Sequence, residues 1–450
     1  GALRDGLRKG ATCVFHPWRP GPFYMNLPLN TQPAPVTLRL DALPDRPVFP
    51  ALAPAHDHPL RTAADTIESC AKVAIKLGGG SRMAAQSVRQ LAEAAGALVV
   101  TSPGASGVMP ADHPQTMCVG GSKGSISGNW VMDEAELLIV IGSRAVCQAD
   151  CSGIGWPKVR QVININADPI DVQHYNNTIA LTGDASIVAG RLAAMLSGGR
   201  TDPAKAEWLK AGRAKRAEWD GFLARQTSSP PLYDTVWQRP VMTQPRVIRH
   251  AAEFCRRHGA LKFFDAGDVQ ANGFQIVEDQ APFETFTETG ASYMGFAVSA
   301  LLAAGIADKG RYGVAFTGDG SFMMNPQVLI DGVEHGVHGT ILLLDNRRMA
   351  AISHLQHAQY GRDFRTNDGV AVDYVRLASA VSGVRALSGG EDEASLMAAL
   401  EEARSWPGLS LVHVPVYFGD DPAVGLGAYG QWNVGSWVDD VQRQYAGTLI

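Results

Sequence analysis

Residues 318–346, GDGSFMMNPQVLIDGVEHGVHGTILLLDN, decide the fold. Just before them, residues 312–317 (YGVAFT) form an apolar run of strand length that ends in Gly318-Asp319-Gly320-Ser321, a turn where backbone can approach a ligand closely. Asn325-Pro326 then opens a helical pattern, since proline is tolerated in a first turn and Val328, Leu329, Val333 and Val337 recur at helical spacing. The next run, residues 340–344 (TILLL), reads as a second buried strand that delivers Asp345-Asn346 to its end. Both strand ends of a strand-helix-strand unit lie on one edge of a parallel sheet, so Asp319 and Asn346 are expected to meet. A carboxylate, an amide oxygen and backbone carbonyls are hard donors that suit Mg²⁺, an ion that keeps waters and ligand phosphates in its shell. The spacing therefore predicts a phosphate-bearing cofactor.

GDG followed at this distance by Asn, on strand-helix-strand, resembles the diphosphate-binding motif of thiamine diphosphate (ThDP) enzymes. The resemblance implies that Asp319, Asn346 and the main-chain carbonyl of Arg348 hold Mg²⁺, and that Gly318, Gly320 and Ser321 lie against the diphosphate. It also places the turn Asp265-Ala266-Gly267-Asp268 there, so Gly267 and Asp268 are cofactor residues. Asp268 departs from the expected chemistry, because a second negative charge beside a polyanion is unfavourable unless it faces away or meets a cation. In ETGASYMGF (288–296) the resemblance makes Met294 the apolar wedge under the bent cofactor and the Ser292 carbonyl an acceptor for the aminopyrimidine. A flexible, unbranched Met suits a wedge between two rings. In MAAISHLQHAQYG (349–361), Ile352 would pack over the thiazolium, with Ser353, His354, Gln356 and His357 as polar candidates. His354 and His357 share a helical face and titrate near neutral pH, so they are read as catalytic candidates, with exposed histidines as the alternative. Gln270 is a third catalytic candidate; with Asn272 it either faces substrate or caps its loop.

The chain has 450 residues, 46% hydrophobic and 18% charged, enough for two or three domains with sizeable cores. Lys plus Arg number 39 against 44 Asp plus Glu, a balance that argues against nucleic acid and polybasic membrane surfaces as partners. With no bilayer-length apolar run and no charged-then-apolar N-terminus, the expectation is a cytoplasmic protein. The six cysteines are expected reduced, with Cys147 and Cys151 as packed thiols rather than a metal or redox pair.

The fold class expected is α/β, with two doubly wound parallel-sheet domains. Residues 47–198 form the central domain, with strands at 72–77, 97–100, 136–142 and 161–166 and a helix near 84–95; His56 and His58 fall in its entry linker. Its Gly78-Gly79-Gly80, Asp112-His113-Pro114, Ile141-Gly142-Ser143-Arg144 and Asn166-Ala167-Asp168-Pro169 resemble the central domain of ThDP enzymes, which in some members binds FAD. Gly78 to Gly80 lack the complete GxGxxG pattern, so turn geometry serves as well as phosphate binding and no flavin is assigned. Residues 199–238 are read as a solvated helical linker, 239–418 as the diphosphate and Mg²⁺ domain, and 419–450 as a tail that is either a lid or an intersubunit strap. Residues 1–46 contain RPGPFYMNLPLN (19–30), which resembles the strand closing the pyrimidine-binding domain of acetolactate-synthase-like ThDP enzymes. In that family a Glu of the pyrimidine domain activates the cofactor, and residues 1–67 contain no Glu. The expectation is a separate small subunit carrying that Glu, in a dimer or tetramer of such pairs, or else a truncated product.

The set ETG-x-S-x-MGF, GDGSFMM and LLLDN is similar in particular to the trihydroxycyclohexane-dione hydrolases of inositol breakdown, most strongly over 285–370. Where that group has an acidic residue after MG-aromatic, this chain has Ala297. The resemblance implies the large subunit of a split ThDP enzyme, a lyase, hydrolase or acyl transferase acting beside the carbonyl of a small 2-oxo acid or 1,2-dione. A catalytically silent ThDP-binding or assembly subunit is the alternative, and a nucleotide-binding enzyme without thiamine the third.

Overall fold

The computed structural model describes every residue except 1, 38, 40, 42, 44, 197–201, 289, 309, 367–368 and 428–438. Two parallel sheets of six strands organise the described residues. The first comprises β1 (Val73–Leu77), β2 (Leu98–Thr101), β3 (Thr116–Val119), β4 (Leu137–Ile141), β5 (Gln161–Asn166) and β6 (Thr178–Thr182), in the order β3-β2-β1-β4-β5-β6. β1 and β4 are buried at every residue, as parallel strands covered by helices on both faces must be. Alternate residues feed opposite cores: Ile75, Ile139 and Ile163 pack with Val88 and Leu192, while Ala74, Leu138 and Val140 pack with Trp156 and Trp208. Each such aliphatic side chain contributes about 1.5–3 kcal/mol when fully buried.

The helix Pro203–Thr227 corrects the reading of a merely solvated linker. Trp208, Gly212, Trp219 and Leu223 form a buried stripe, with Trp208 in the core of the first sheet and Trp219 in that of the second. Trp208 Nε1 donates to Val73 O at 3.0 Å, Lys205 Nζ to Ile67 O and Ala95 O at 2.8 and 2.9 Å, and Arg216 to Ala111 O and Thr116 O. Lys205 and Arg216, on a helix expected to be solvated, thus bind backbone carbonyls, their apolar stems lying along the protein.

After a short hairpin, β7 (Leu232–Asp234) and β8 (Arg239–Val241), comes the second sheet: β9 (Leu261–Phe264), β10 (Thr285–Thr287), β11 (Gly313–Gly318), β12 (Gly339–Asp345), β13 (Arg385–Ser388) and β14 (Leu409–Pro415). Its order is β10-β9-β11-β12-β14-β13. The chain leaves β9 to one side for β10 and returns to the other for β11, so the winding reverses between β9 and β11. At such a reversal the loops beyond the strand ends diverge and leave a crevice.

Residues 20–28 are not a strand, contrary to the sequence reading: they join no sheet, and Tyr24 is 86% exposed. An extended segment becomes a strand only where a sheet edge receives its backbone groups, and prolines at 20, 22 and 28 remove donors. The glycine- and tryptophan-rich centre of the tail falls largely on residues 428–438, outside the described residues, and the lid and strap readings lie there with it.

Candidate active site

Three strand ends meet at the reversal. After β9 the chain passes Asp265 and Ala266 to Gly267, whose φ 80°, ψ −145° is open essentially to glycine alone, and enters the helix Asp268–Ile276. β11 ends at Gly318 and runs directly into the single turn Asp319–Phe322, with the longer helix following at Val328–Glu334. The turn read from the sequence is therefore itself helical. β12 delivers Asp345 and Asn346, and Arg347 reverses the chain at φ 55°.

These ends open into a cavity of about 580 Å³, a size usual for small-molecule and cofactor sites. Gly267, Asp268, Gln270, Ser292, Met294, Gly318, Asp319, Gly320, Ser321, Asn346, Arg348, Ile352 and His354 all line it. The facing wall comes from the first sheet, through Pro103, Gly120, Ser122, Lys123 and Gln148. Of the candidates on the helix Ala350–Tyr360, Ser353, Gln356 and His357 do not line it: Ser353 bonds Thr366 Oγ1, Gln356 bonds the Phe364 backbone, and His357 faces away; Asn272 does not line it either. A turn further along the helix than His354, the largely exposed His357 side chain faces Asp363 at 3.9 Å. Residues three apart on a helix share a face only approximately, and here the offset separates cavity from solvent.

The electrostatics answer the question raised by Asp268. His354 Nδ1 lies 3.6 Å from its Oδ2, and Lys123 is close enough for Asp268 to favour its charged form, although burial of the ammonium is the larger influence and lowers its pKa. Asp268 thus faces the Lys123 ammonium and the His354 ring across the cavity. His354 also stacks on Phe418 at 5.1 Å, and the Arg348 guanidinium lies over the same ring at 4.6 Å.

Gln270 takes the capping alternative. Its amide donates to Thr287 Oγ1 at 2.8 Å and Glu288 O at 2.6 Å, and its Oε1 accepts from Ser292 Oγ at 3.1 Å. These bonds tie it to the loop after β10 while it also lines the cavity. Asn272 is likewise occupied, donating to Gln244 Oε1 and accepting from Leu426 N.

Two organisers were not singled out from the sequence. Asp265, fully buried, accepts from Ala266 N, Gly295 N, Ala297 N and Thr317 Oγ1, which ties β9, β11 and the Met294 turn together. Burial still pushes its carboxyl above the usual range, outweighing those four donors. Glu288 accepts from Gly290, Ala291 and Ser292 N, shaping the turn in which Ser292 takes φ 52°.

The donor set fits a hard divalent cation with a phosphate ligand. Asp319 is buried and Asn346 is partly buried, at the ends of neighbouring strands, and oxygen is the only donor type they offer. The described residues hold no group of three His, Cys, Asp or Glu able to bind a metal through side chains alone. One carboxylate plus neutral oxygens leaves room for ligand phosphate in the shell. A Cβ at Gly320 would stand 3.3 Å from Met294 Cε, so the Met294 side chain lies close against the turn after β11. No helix among the described residues is long and apolar enough to cross a membrane.

Comparison with known proteins agrees with this geometry. Residues 265–414 match the C-terminal TPP (thiamine pyrophosphate) binding domain of thiamine pyrophosphate enzymes, and residues 60–192 match their central domain. Acetolactate synthase isozyme 1 large subunit of Escherichia coli is 25% identical over 406 residues, covering 88% of this chain and 67% of the relative. A probable acetolactate synthase large subunit of Methanocaldococcus jannaschii is 26% identical, covering 82% and 62%. The 3D-(3,5/4)-trihydroxycyclohexane-1,2-dione hydrolase of Lacticaseibacillus casei is 24% identical, covering 96% and 70%. The chain thus spans roughly two thirds of the length of these relatives.

Proposed function

Because this chain belongs to the thiamine pyrophosphate enzymes, we propose that it binds ThDP with Mg²⁺ and cleaves or forms a carbon–carbon bond beside the carbonyl of a 2-oxo acid or 1,2-dione. The observation that carries this reading is the convergence of Asp319 and Asn346, at adjacent strand ends, on one cavity with Gly267 and Gly320. Bound there, ThDP supplies an electron sink for the bond next to the substrate carbonyl.

The protein's own residues do the rest. We assign Asp319, the Asn346 amide oxygen and the Arg348 main-chain carbonyl to the ion. The free N–H groups at the start of the helix Asp268–Ile276, and the turn at Gly318 to Ser321, favour phosphate oxygens by their dipoles. Met294 fills the cavity floor with an apolar body, the Ser292 carbonyl accepts from an amino group, and Ile352 excludes water. His354, oriented by Asp268, holds and moves a proton at the substrate end of the cavity.

We place the carboxylate that acts on the pyrimidine side outside these 450 residues. A small subunit, in a dimer or tetramer of pairs, is one arrangement, and further sequence of the same polypeptide is the other. Native mass spectrometry distinguishes the two.

The test is calorimetric titration of ThDP in Mg²⁺, followed by assays of CO₂ release from pyruvate and of ring opening of a cyclic 1,2-dione. Saturable, Mg²⁺-dependent binding with turnover of either substrate supports the proposal. Absence of binding overturns it, and binding without turnover of any 2-oxo acid or dione points to a silent subunit.

A further inference from the structure

The corner assigned to the divalent ion stands on two separate loops, after β11 and after β12, and a second row of side chains lies behind both. Asp345, the buried last residue of β12, accepts from Arg347 N through Oδ1 at 3.0 Å and from His413 Nε2 through Oδ2 at 2.9 Å. His413 stands on β14, in register with Leu343 of β12. Its ring packs against Tyr374, centroids 5.6 Å apart, and Tyr374 meets Phe322 edge-on at 5.9 Å. Phe322 and Tyr374 are both buried, and Phe322 closes the single turn that begins with Asp319.

A continuous path therefore joins the two ligand loops from behind. From Asp319 it runs through Phe322 and Tyr374 to His413, then through Asp345 to the bend that carries Asn346 and Arg348. That bend includes Arg347 at positive φ, a shape that a residue other than glycine keeps only when its surroundings fix it. The bond from Arg347 N to Asp345 supplies one constraint, and the His413 N–H fixes the Asp345 carboxylate that accepts it. Asn346 Oδ1 takes the next amide, Arg348 N, at 3.0 Å, so the loop is held residue by residue.

We propose that His413, backed by Tyr374, is a positioning residue that holds the Asp319 turn and the Asn346 loop in one register for the divalent ion. It touches neither cofactor nor substrate. The proposal rests on the ThDP and Mg²⁺ reading of the cavity. Residues that orient the ligands of a metal typically govern its affinity by 10–100-fold.

Two substitutions separate the hydrogen bond from the packing. His413→Phe keeps a ring against Tyr374 and Trp237 but has no donor, whereas His413→Gln keeps a donor. ThDP binding to the native assembly is measured by calorimetry over a series of Mg²⁺ concentrations, and thermal unfolding is followed without ion or cofactor. His413→Phe is expected to lower the apparent Mg²⁺ affinity of the folded protein about 10–100-fold, with a fall in the metal-free unfolding midpoint as well because the buried Asp345 Oδ2 loses its donor, and His413→Gln to restore most of both losses. Should His413→Phe fail to fold, Asp345→Ala removes the acceptor for both Arg347 N and His413 Nε2, and the same fall in affinity is expected. Wild-type Mg²⁺ dependence in the folded variant, or equal losses in the Phe and Gln forms, overturns the proposal. A wild-type protein that takes up no ThDP at any Mg²⁺ concentration overturns instead the reading on which it rests.

Discussion

The two sheets are built alike and end differently. In both, parallel strands wind in opposite directions from a central pair, β1 and β4 in the first and β9 and β11 in the second, yet the reversal at the first pair is closed and that at the second is open. Beyond β1 and β4 the backbone is zipped: Gly78 N donates to Ile141 O and Gly80 N to Gly142 O, both at 2.9 Å, and a Cβ at Gly142 would stand 2.5 Å from the Gly80 carbonyl carbon. Beyond β9 and β11 the pairing stops at Asp265 N to Phe316 O, and the loops diverge until the nearest atom to a Cβ at Gly267 is 3.8 Å away. A doubly wound sheet offers a place for a ligand, but the loops decide whether the place is open. The closed sheet still contributes, because its loops at Gly120 to Lys123 and at Gln148 form the facing wall.

If the open reversal holds the ion and diphosphate, Asp319→Ala has the largest effect on ThDP affinity. ThDP affinity in saturating Mg²⁺ should fall at least about 100-fold, the upper end of what even a supporting residue costs a metal site. Calorimetry reads this directly, and unchanged uptake would erase the contrast between the sheets. Gly78→Ala probes the closed reversal. Its Cβ would lie 2.4 Å from Gly142 O and Ser143 Cα, backbone that cannot step aside, so a loss of about 1–3 kcal/mol is expected in denaturant unfolding. ThDP affinity of the folded fraction should not change, and a change would mean that the closed reversal also takes part in binding. Gly320→Ala falls between the two kinds of effect. Its Cβ meets only the mobile end of Met294, so stability should shift by less than about 1 kcal/mol while ThDP binds about tenfold more weakly, as expected of a methyl group in a diphosphate cradle.

The sequence made the open reversal readable because its parts are local. β11, β12 and their helical link are consecutive, the strands are unbroken apolar runs, and the ligand candidates sit at their ends. The facing wall was not readable. Lys123 follows β3, four residues that carry no strand signal of their own and pair only because β2 lies alongside. β6 was missed for the same reason, being half-exposed beside β5. The roles of Asp265 and Gln270 depend on partners remote in sequence, such as Thr317 and Ser292, and no spacing rule reports them. Residues 20–28 were misread because an apolar run between prolines states a preference for extended chain, whereas a strand also needs a neighbour.

The smallest expected effect on ThDP affinity concerns the helix over the open reversal, where the sequence offered two histidines and the structure separates them. His354 lines the cavity, faces Asp268 at 3.6 Å and stacks on Phe418, whereas His357 points toward Asp363 and water. His357→Ala should leave ThDP affinity unchanged and stability within about 0.5 kcal/mol, as for an exposed surface position. His354→Ala should leave ThDP affinity nearly unchanged as well, since the diphosphate corner is built without it, but should lower turnover about 10²–10⁴-fold, the usual contribution of a positioned proton donor. Comparing kcat with ThDP affinity for both variants checks the assignment. Equal turnover losses would mean that the helix acts as a unit over the cavity rather than through one residue, and would move the boundary of the open reversal a turn further out.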